Sequence, residues 1–344
     1  MRIASVLGAC LLAASHPALG ATLFSASQGV DAPTCGSAKA PCRSISQAIA
    51  HAAPDDTVVV GPGYYGDLDG DGQFTSPGDE AAEIGSGCDC VVKVDKRLTL
   101  RSRDGAASTV IDAAGLAMWA INLFGAGASS ATLGAANAGF TLRGGQGAGV
   151  FVDPDAANVR VVGNVARRNA GDGFIVVGTG ARVTGNRSSE NDGDGFQFAG
   201  DNVIASDNAA SSNTLDGFVC FAFGGSVQKS VSSGNAGNGF TATFADFEFR
   251  SIAAVGNGLA GVLFDFGTGS VTGASLIGNG RTDAMNCGLM NNSGGAIVAT
   301  GNYWGAATGP GADPADDVCN GTSATTTTTP FKTGEIKVRA KPLR

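Results

Sequence analysis

The residues with the clearest chemical spacing run Asp67-Leu68-Asp69-Gly70-Asp71-Gly72-Gln73-Phe74. Carboxylates at positions one, three and five, glycine at six and an apolar residue at eight follow the pattern of a calcium loop. Asp67, Asp69 and Asp71 would supply side-chain oxygens, and Gln73 its backbone carbonyl. Position twelve is Gly78, where such loops carry a bidentate glutamate, so Asp79 or Glu80 would have to reach in from a slightly longer loop. Three carboxylates this close repel one another unless a cation sits among them. A bound Ca2+ would order the insertion at residues 66–90 and take no part in catalysis. The alternative is an acidic, solvated turn.

A second acidic set forms a column. Asp172, Asp194 and Asp216 recur every 22 residues, with Asn238 next. Like charges so spaced are unfavourable unless screened, hydrogen-bonded or metal-bound. Aspartate in a turn meets this by accepting backbone N–H groups; a calcium site bridging to an acidic sugar is the sharper alternative. Arg160 and Arg182 are also one period apart and should stack outward. Arg167, Arg168 and Arg187 lie nearby, with Glu190 and Asp192 interleaved for ordinary surface pairing. Asp55-Asp56 and Asp316-Asp317 are acid pairs near the two ends, without the neighbours that glycosidase roles require. Beyond the first twenty residues, His51 is the only histidine.

What must position these groups is a repeat. Asn169, Asn191, Asn213, Asn235, Asn257 and Asn279 lie 22 residues apart, and Asn164, Asn186 and Asn208 keep the same period. A unit this short cannot bury its own core and must stack on copies of itself. In one unit, strands are expected at Gly173 to Val177, Ala181 to Thr184 and Arg187 to Glu190, with a corner at Asn186. Alternation turns Phe196 and Phe198, Phe218 and Cys220, Phe240 and Ala242, and Val262 and Phe264 inward. Each sits about 4.8 Å above its equivalent in the coil below. Cys220 then reads as an inert core thiol. Stacked asparagines can bond up and down their column and tolerate a left-handed corner. Outward positions include Ile175, Val177, Val219 and Phe221, followed by Phe244, Phe247 and Phe249. Such an apolar stripe marks a binding face unless a loop covers it.

The ends differ from the repeat. Ser44 to Ala53 reads as a short helix capped by Ser44, with Ile45, Ala48 and Ile49 on one face. It would cover the open edge of the first coil. The 54 glycines, 7% aromatic and 15% charged residues suit short strands and tight turns and argue against a helical bundle. A net charge of -8 excludes nucleic acid as a partner class. Residues 1–20 resemble a secretory signal, with Arg2, an apolar run Ile3 to Ala14 and the small-residue site Ala18-Leu19-Gly20. That run is too short to span a bilayer, and no transmembrane segment follows it. A secreted, periplasmic or cell-envelope destination permits disulfides. Cys35–Cys42 and Cys287–Cys319 are the expected bridges. Cys88 and Cys90 are too close for an unstrained bridge, so other partners or the reduced state are expected there. The layout is a signal at 1–20, a cap segment at 21–56, a repeat region at 57–320 and a Thr-rich, basic tail at 321–344. The tail is either a strand along the last coil or a loose end.

Four features together resemble a known superfamily: the Asn-x-x-Asp-Gly-Phe repeats, Pro41-Cys42-Arg43-Ser44-Ile45, Val60-Gly61-Pro62-Gly63-Tyr64-Tyr65, and Asn302-Tyr303-Trp304-Gly305. They are similar to the right-handed parallel β-helix proteins of the pectate-lyase-like superfamily. The resemblance implies an all-β, single-stranded solenoid of roughly ten or eleven coils at about 22 residues each. It does not imply one function, because this fold hosts lyases, hydrolases, epimerases and non-catalytic surface proteins. The Asp-Pro-His-Asp motif of its alginate epimerases is met here only by Asp153-Pro154-Asp155-Ala156, without the imidazole. The polygalacturonase set is missing as well. The expected function is therefore a binding surface for a glycan or a cell-surface protein. The alternative is a calcium-dependent lyase acting on an acidic glycan with an arginine base.

Overall fold

The computed structural model describes residues 20–340 apart from positions 222, 245 and 283–284; the expected signal, except Gly20, lies outside the described residues. Short β-branched and aromatic runs fall into three parallel sheets of twelve, ten and nine strands, which the chain visits in turn. The result is a right-handed parallel β-helix. One coil shows the plan. Asp172–Val176 lies in the ten-stranded sheet, Arg182–Thr184 in the twelve-stranded and Arg187–Ser189 in the nine-stranded, and Phe196–Phe198 re-enters the first.

Period and register coincide. Phe174, Phe196, Phe218 and Phe240 are direct partners on successive strands. Their rings stack at 4.7–4.8 Å with planes 4–6° apart, fully buried. Cys220 is buried beside them, and burial pushes its thiol well above the ordinary range. Phe247 and Phe249 correct the expectation of an outward stripe. Both are fully buried on Asp246–Arg250 of the twelve-stranded sheet. The alternation restarts past the corner, on exposed Asp246, so residues counted outward from the previous strand point in.

The asparagines line two corners. Asn191 donates both its N–H and its Nδ2 to Asn213 Oδ1, at 3.2 and 3.0 Å. The same step joins Asn169 to Asn191, Asn213 to Asn235, Asn235 to Asn257 and Asn257 to Asn279. Asn279 donates to Asp316, which accepts from Asn279 Nδ2 at 2.8 Å and from the Gly278 N–H at 2.7 Å. The other column runs Asn164, Asn186, Asn208 and then Ser230. This packing also explains the glycine in Asp-Gly-Phe. A Cβ on Gly173 would fall 1.9 Å from Ser188 Oγ and 2.6 Å from Gly195 O.

The helix at Ile45–His51 buries Ile45, Ala48 and Ile49 and packs against the first strands. Ser44 accepts from the Gln47 N–H, as expected of an N-cap. Glu80 adds a cap that the sequence did not suggest. It accepts from the Ile45 and Ser46 N–H groups at 2.8 Å each and from Ser46 Oγ at 2.6 Å. Cys35–Cys42 and Cys287–Cys319 are bonded as expected. Cys88 and Cys90 are bonded to each other, against expectation. Asp89 between them takes a positive φ of 45°, which folds the chain so that their Cα atoms lie 5.2 Å apart. In the tail, Thr325–Thr327 pairs with Ala296–Val298 as the last strand of the twelve-stranded sheet. Phe331 packs on the core, and Ile336 exchanges hydrogen bonds with Ser275 Oγ. No helix of the described residues is long and apolar enough to cross a membrane.

Candidate functional site

The acidic loop folds around its own carboxylates. Asp67 accepts from the Gly70 and Gly72 N–H groups at 2.8 and 2.9 Å, and Asp71 from the Gln73 N–H at 2.7 Å. Asp69 accepts from the Asp71 N–H and from Ser76 Oγ, at 3.2 and 2.5 Å. These bonds, Ser76 first, hold its carboxyl below the usual range. The loop thereby brings one oxygen from each of Asp67, Asp69 and Asp71 within 4.8 Å of the others, a set able to hold a metal ion. Asp79 is not part of that cluster. Its oxygens accept from the Leu68 and Ser76 N–H groups, both at 2.8 Å, and close the loop's base. Gln73 lies in the same loop, its N–H bonded to Asp71. Glu80, the other candidate for the final ligand, is committed to the helix, and burial pushes its carboxyl up to about 7. Cys35, Cys42 and His51 also converge, but the two sulfurs are bonded to each other.

The aspartate column sits where strands enter the ten-stranded sheet. Asp172 accepts from the Asp194 N–H at 2.6 Å, Asp194 from the Asp216 N–H at 2.8 Å and Asp216 from the Asn238 N–H at 2.6 Å. Thr241, which points outward from the sheet, donates to Asp216 Oδ2 at 2.6 Å, so the column borders the sheet's outer face. Burial, and then the charge of Asp172, raises the Asp194 carboxyl to about 7; burial also raises Asp172. A carboxyl raised in the fold binds more protons folded than unfolded. Its stabilising contribution is complete below the unfolded value, about 4, and is lost as pH rises through the folded one. Unfolding free energy should therefore fall between pH 4 and pH 7. Asp194→Asn should flatten that fall, leaving the shares of Glu80, Asp172 and Asp316, in denaturant titrations across this range. An unchanged slope would show that Asp194 does not titrate there.

The same outer face carries aromatic groups. Trp119 and Phe151, both half-buried, stack at 4.5 Å and 12°. Phe151 is in register with Asn122 on one side and Ile175 on the other, and the row continues through Gln197, Val219, Thr241 and Leu263. Lys93 heads this row, over the Phe124 ring and paired with Glu83 at the end of the insertion. Where strands leave the sheet, Phe221 is 40% exposed, Phe223 61%, Phe244 62% and Phe266 65%. Phe244 and Phe266 stack at 5.4 Å from left-handed corner positions, φ 52° and 55°.

The arginines are elsewhere. Arg160 and Arg182 pair in register and exposed on the twelve-stranded sheet. Arg167 and Arg187 lie on the nine-stranded sheet, and Arg168 is bonded to Glu190 at 2.8 Å. None of these five shares the face of the aspartate column. The end pairs are structural: Asp55 binds Arg97, Asp56 accepts from the Ala21 and Ala53 N–H groups, and Asp316 ends the asparagine ladder. Asp153-Pro154-Asp155 follows the strand Ala148–Val152, where Asp153 accepts from the Asp155 N–H at 3.1 Å.

No protein-family model and no curated protein sequence matches this chain. Among solved structures it is similar to the A-module of mannuronan C-5 epimerase AlgE6 from Azotobacter vinelandii, with TM-score 0.58 and 16% identity over 82% of this chain and 91% of that one. It is also similar to an alginate lyase from Paenibacillus sp. str. FPU-7, with TM-score 0.51 and 12% identity over 84% of this chain and 95% of that one. At these identities the likeness is one of fold.

Proposed function

We propose that this parallel β-helix binds a glycan along the outer face of its ten-stranded sheet and does no chemistry on it. The observation that carries this is the Trp119–Phe151 stack, two flat rings left half-open on a face that mixes polar side chains such as Lys93 and Gln197 with apolar ones such as Ile175 and Leu263. Sugar rings lay their C–H faces on such rings and give hydroxyl hydrogens to acids alongside. Asp172 and Asp194, each bonded in the column through Oδ1, supply those acceptors with the other oxygen, and the column, being acidic, favours a neutral glycan over a polyuronate. Two similar solved folds are named for work on mannuronan and alginate, which supports a glycan by analogy only. A structural Ca2+ at Asp67, Asp69 and Asp71 would stiffen the insertion at one end of this face. Disulfides fit an extracellular, periplasmic or envelope setting.

The second reading is a calcium-dependent lyase on an acidic glycan. The converging carboxylates favour it; the separation of the five arginines from the aspartate column weighs against it. One experiment separates the two. Neutral glucans, pectate and alginate are titrated into the protein calorimetrically, with millimolar calcium or with chelator, while absorbance of unsaturated uronates is followed. The expected result is saturable binding of a neutral glycan, weakened about tenfold by Trp119→Ala, roughly the worth of one stacking contact. Equal affinity in Trp119→Ala would sink the proposed face. Sustained, calcium-dependent release of unsaturated uronates would establish the lyase instead.

A further inference from the structure

The outer face of the nine-stranded sheet holds two arginines with nothing to bind. Val165–Arg167 and Arg187–Ser189 are neighbouring strands there, in register Val165 to Arg187 and Arg167 to Ser189. Arg167 and Arg187 are therefore diagonal neighbours, about 7–8 Å apart along the sheet. Both line a single pocket of ≈ 370 Å³, walled by Asn137, Thr141, Gly163 and Val165. Neither is in an ion pair among the described residues. Other arginines close by are neutralised: Arg143 is bonded to Asp112, and Arg168 to Glu190. Glu190 feels the charge of Arg167 but is held by Arg168. The Nε of Arg167 is buried without a hydrogen-bond partner.

Each of these facts is unfavourable alone. Two like charges aimed at one concavity repel. A buried N–H without an acceptor has lost its water and gained nothing. In a chain of net charge -8, carboxylates are plentiful, yet none lines this pocket, and the nearby Glu190 is taken by Arg168. One ligand answers all three points. An oxyanion of carboxylate or sulfate size would screen the two guanidinium groups and supply the missing acceptor, and the planar fork of arginine matches both geometries.

We propose that this pocket is a binding site for an oxyanion, a carboxylate or a sulfate, held by Arg167 and Arg187. It lies on a different sheet from the glycan face, so either can fail without the other. Thermal unfolding and calorimetry are run with sodium sulfate, sodium glucuronate and glucose, ionic strength being held constant with chloride. The expected result is a saturable rise in Tm with sulfate or glucuronate and none with glucose. A preference for sulfate points to a sulfate ester or the free ion as the source; a preference for glucuronate points to a uronate. Arg187→Gln should weaken the anion about tenfold or more while leaving Tm without anion unchanged or higher, since a repulsion is removed. A merely structural arginine would instead lower it. Arg187→Lys, which keeps the charge and loses the fork, should fall between. Should Arg187→Gln not fold, Arg187→Lys carries the test. Unsaturating Tm rises, or affinities within about twofold of wild type in both variants, overturn the proposal.

Discussion

Asn213→Ala is expected to lower the free energy of unfolding by about 2–4 kcal/mol, above an ordinary polar truncation. The effect comes from the neighbours. Asn213 Oδ1 is the shared acceptor for the Asn191 N–H and the Asn191 Nδ2, at 3.2 and 3.0 Å. Its own Nδ2 serves Asn235 Oδ1 at 2.9 Å and Ser188 O at 3.4 Å. Truncation leaves the Asn191 N–H without its acceptor in a corner where Asn213 is only 2% exposed, at a cost on the order of 1–3 kcal/mol. It also removes one bond each from Asn191 Nδ2, which keeps Ser188 Oγ at 2.8 Å, from Asn235 Oδ1, which keeps the Asn213 N–H at 3.0 Å, and from Ser188 O. Partial relaxation keeps the total below the sum. Urea denaturation measures the loss, with Asp192→Ala, at the exposed position following Asn191, expected within about 0.5 kcal/mol of wild type. Hydrogen exchange at the Asn191 amide should rise in parallel, because stacked coils can open locally. A change below about 1 kcal/mol with unchanged exchange would mean that the column does not hold the corner.

Phe218→Ala should cost a similar amount, about 3–5 kcal/mol, for an unrelated reason. Phe218 is fully buried between Phe196 and Phe240, each 4.8 Å away and nearly parallel to it. The backbone on either side is fixed by ladder bonds to both neighbouring coils, so the walls cannot close on the void. The two flanking rings each lose a stacked face as well, worth about 0.5–1.5 kcal/mol a pair. Phe218→Leu, which refills most of the volume, should recover more than half of the loss. Denaturation of the three proteins side by side checks this. If alanine and leucine were equally destabilising, specific stacking and not filled volume would be the controlling term.

Both effects were legible in the sequence because period and register are the same number. Residues 22 apart occupy the same place on successive coils, so a column of Asn or Phe in the text is a column in space. Features outside the period were harder. Trp119 pairs in register with Ala148, 29 residues on, so its stack with Phe151 leaves no periodic mark. Glu80 caps a helix that begins 35 residues earlier, a contact fixed only once the first coils close. Phe247 and Phe249 were misplaced because alternation does not carry across a corner. Phe244 and Phe266, in contrast, are 22 residues apart, and the period itself could have paired them. In the acidic loop the spacing found Asp67, Asp69 and Asp71 together, while Asp79 was drawn off by backbone amides that no spacing rule weighs.

The main amide column has a polarity. From Asn169 onward every side chain gives its hydrogen toward the C-terminal end and takes one from the coil before. An asparagine closing such a queue would keep one amide hydrogen on the carbonyl behind it, as Asn279 does on Ala254 O at 2.9 Å, and leave the other without a receiver. The queue closes on Asp316, a carboxylate that takes from Asn279 and from Gly278. The aspartate thus acts as a full stop. A whole extra coil placed upstream could hand its hydrogens along as its neighbours do, whereas one placed after Asp316 would have no amide to receive from. Here the length of the rod is written in the chemistry of its last corner.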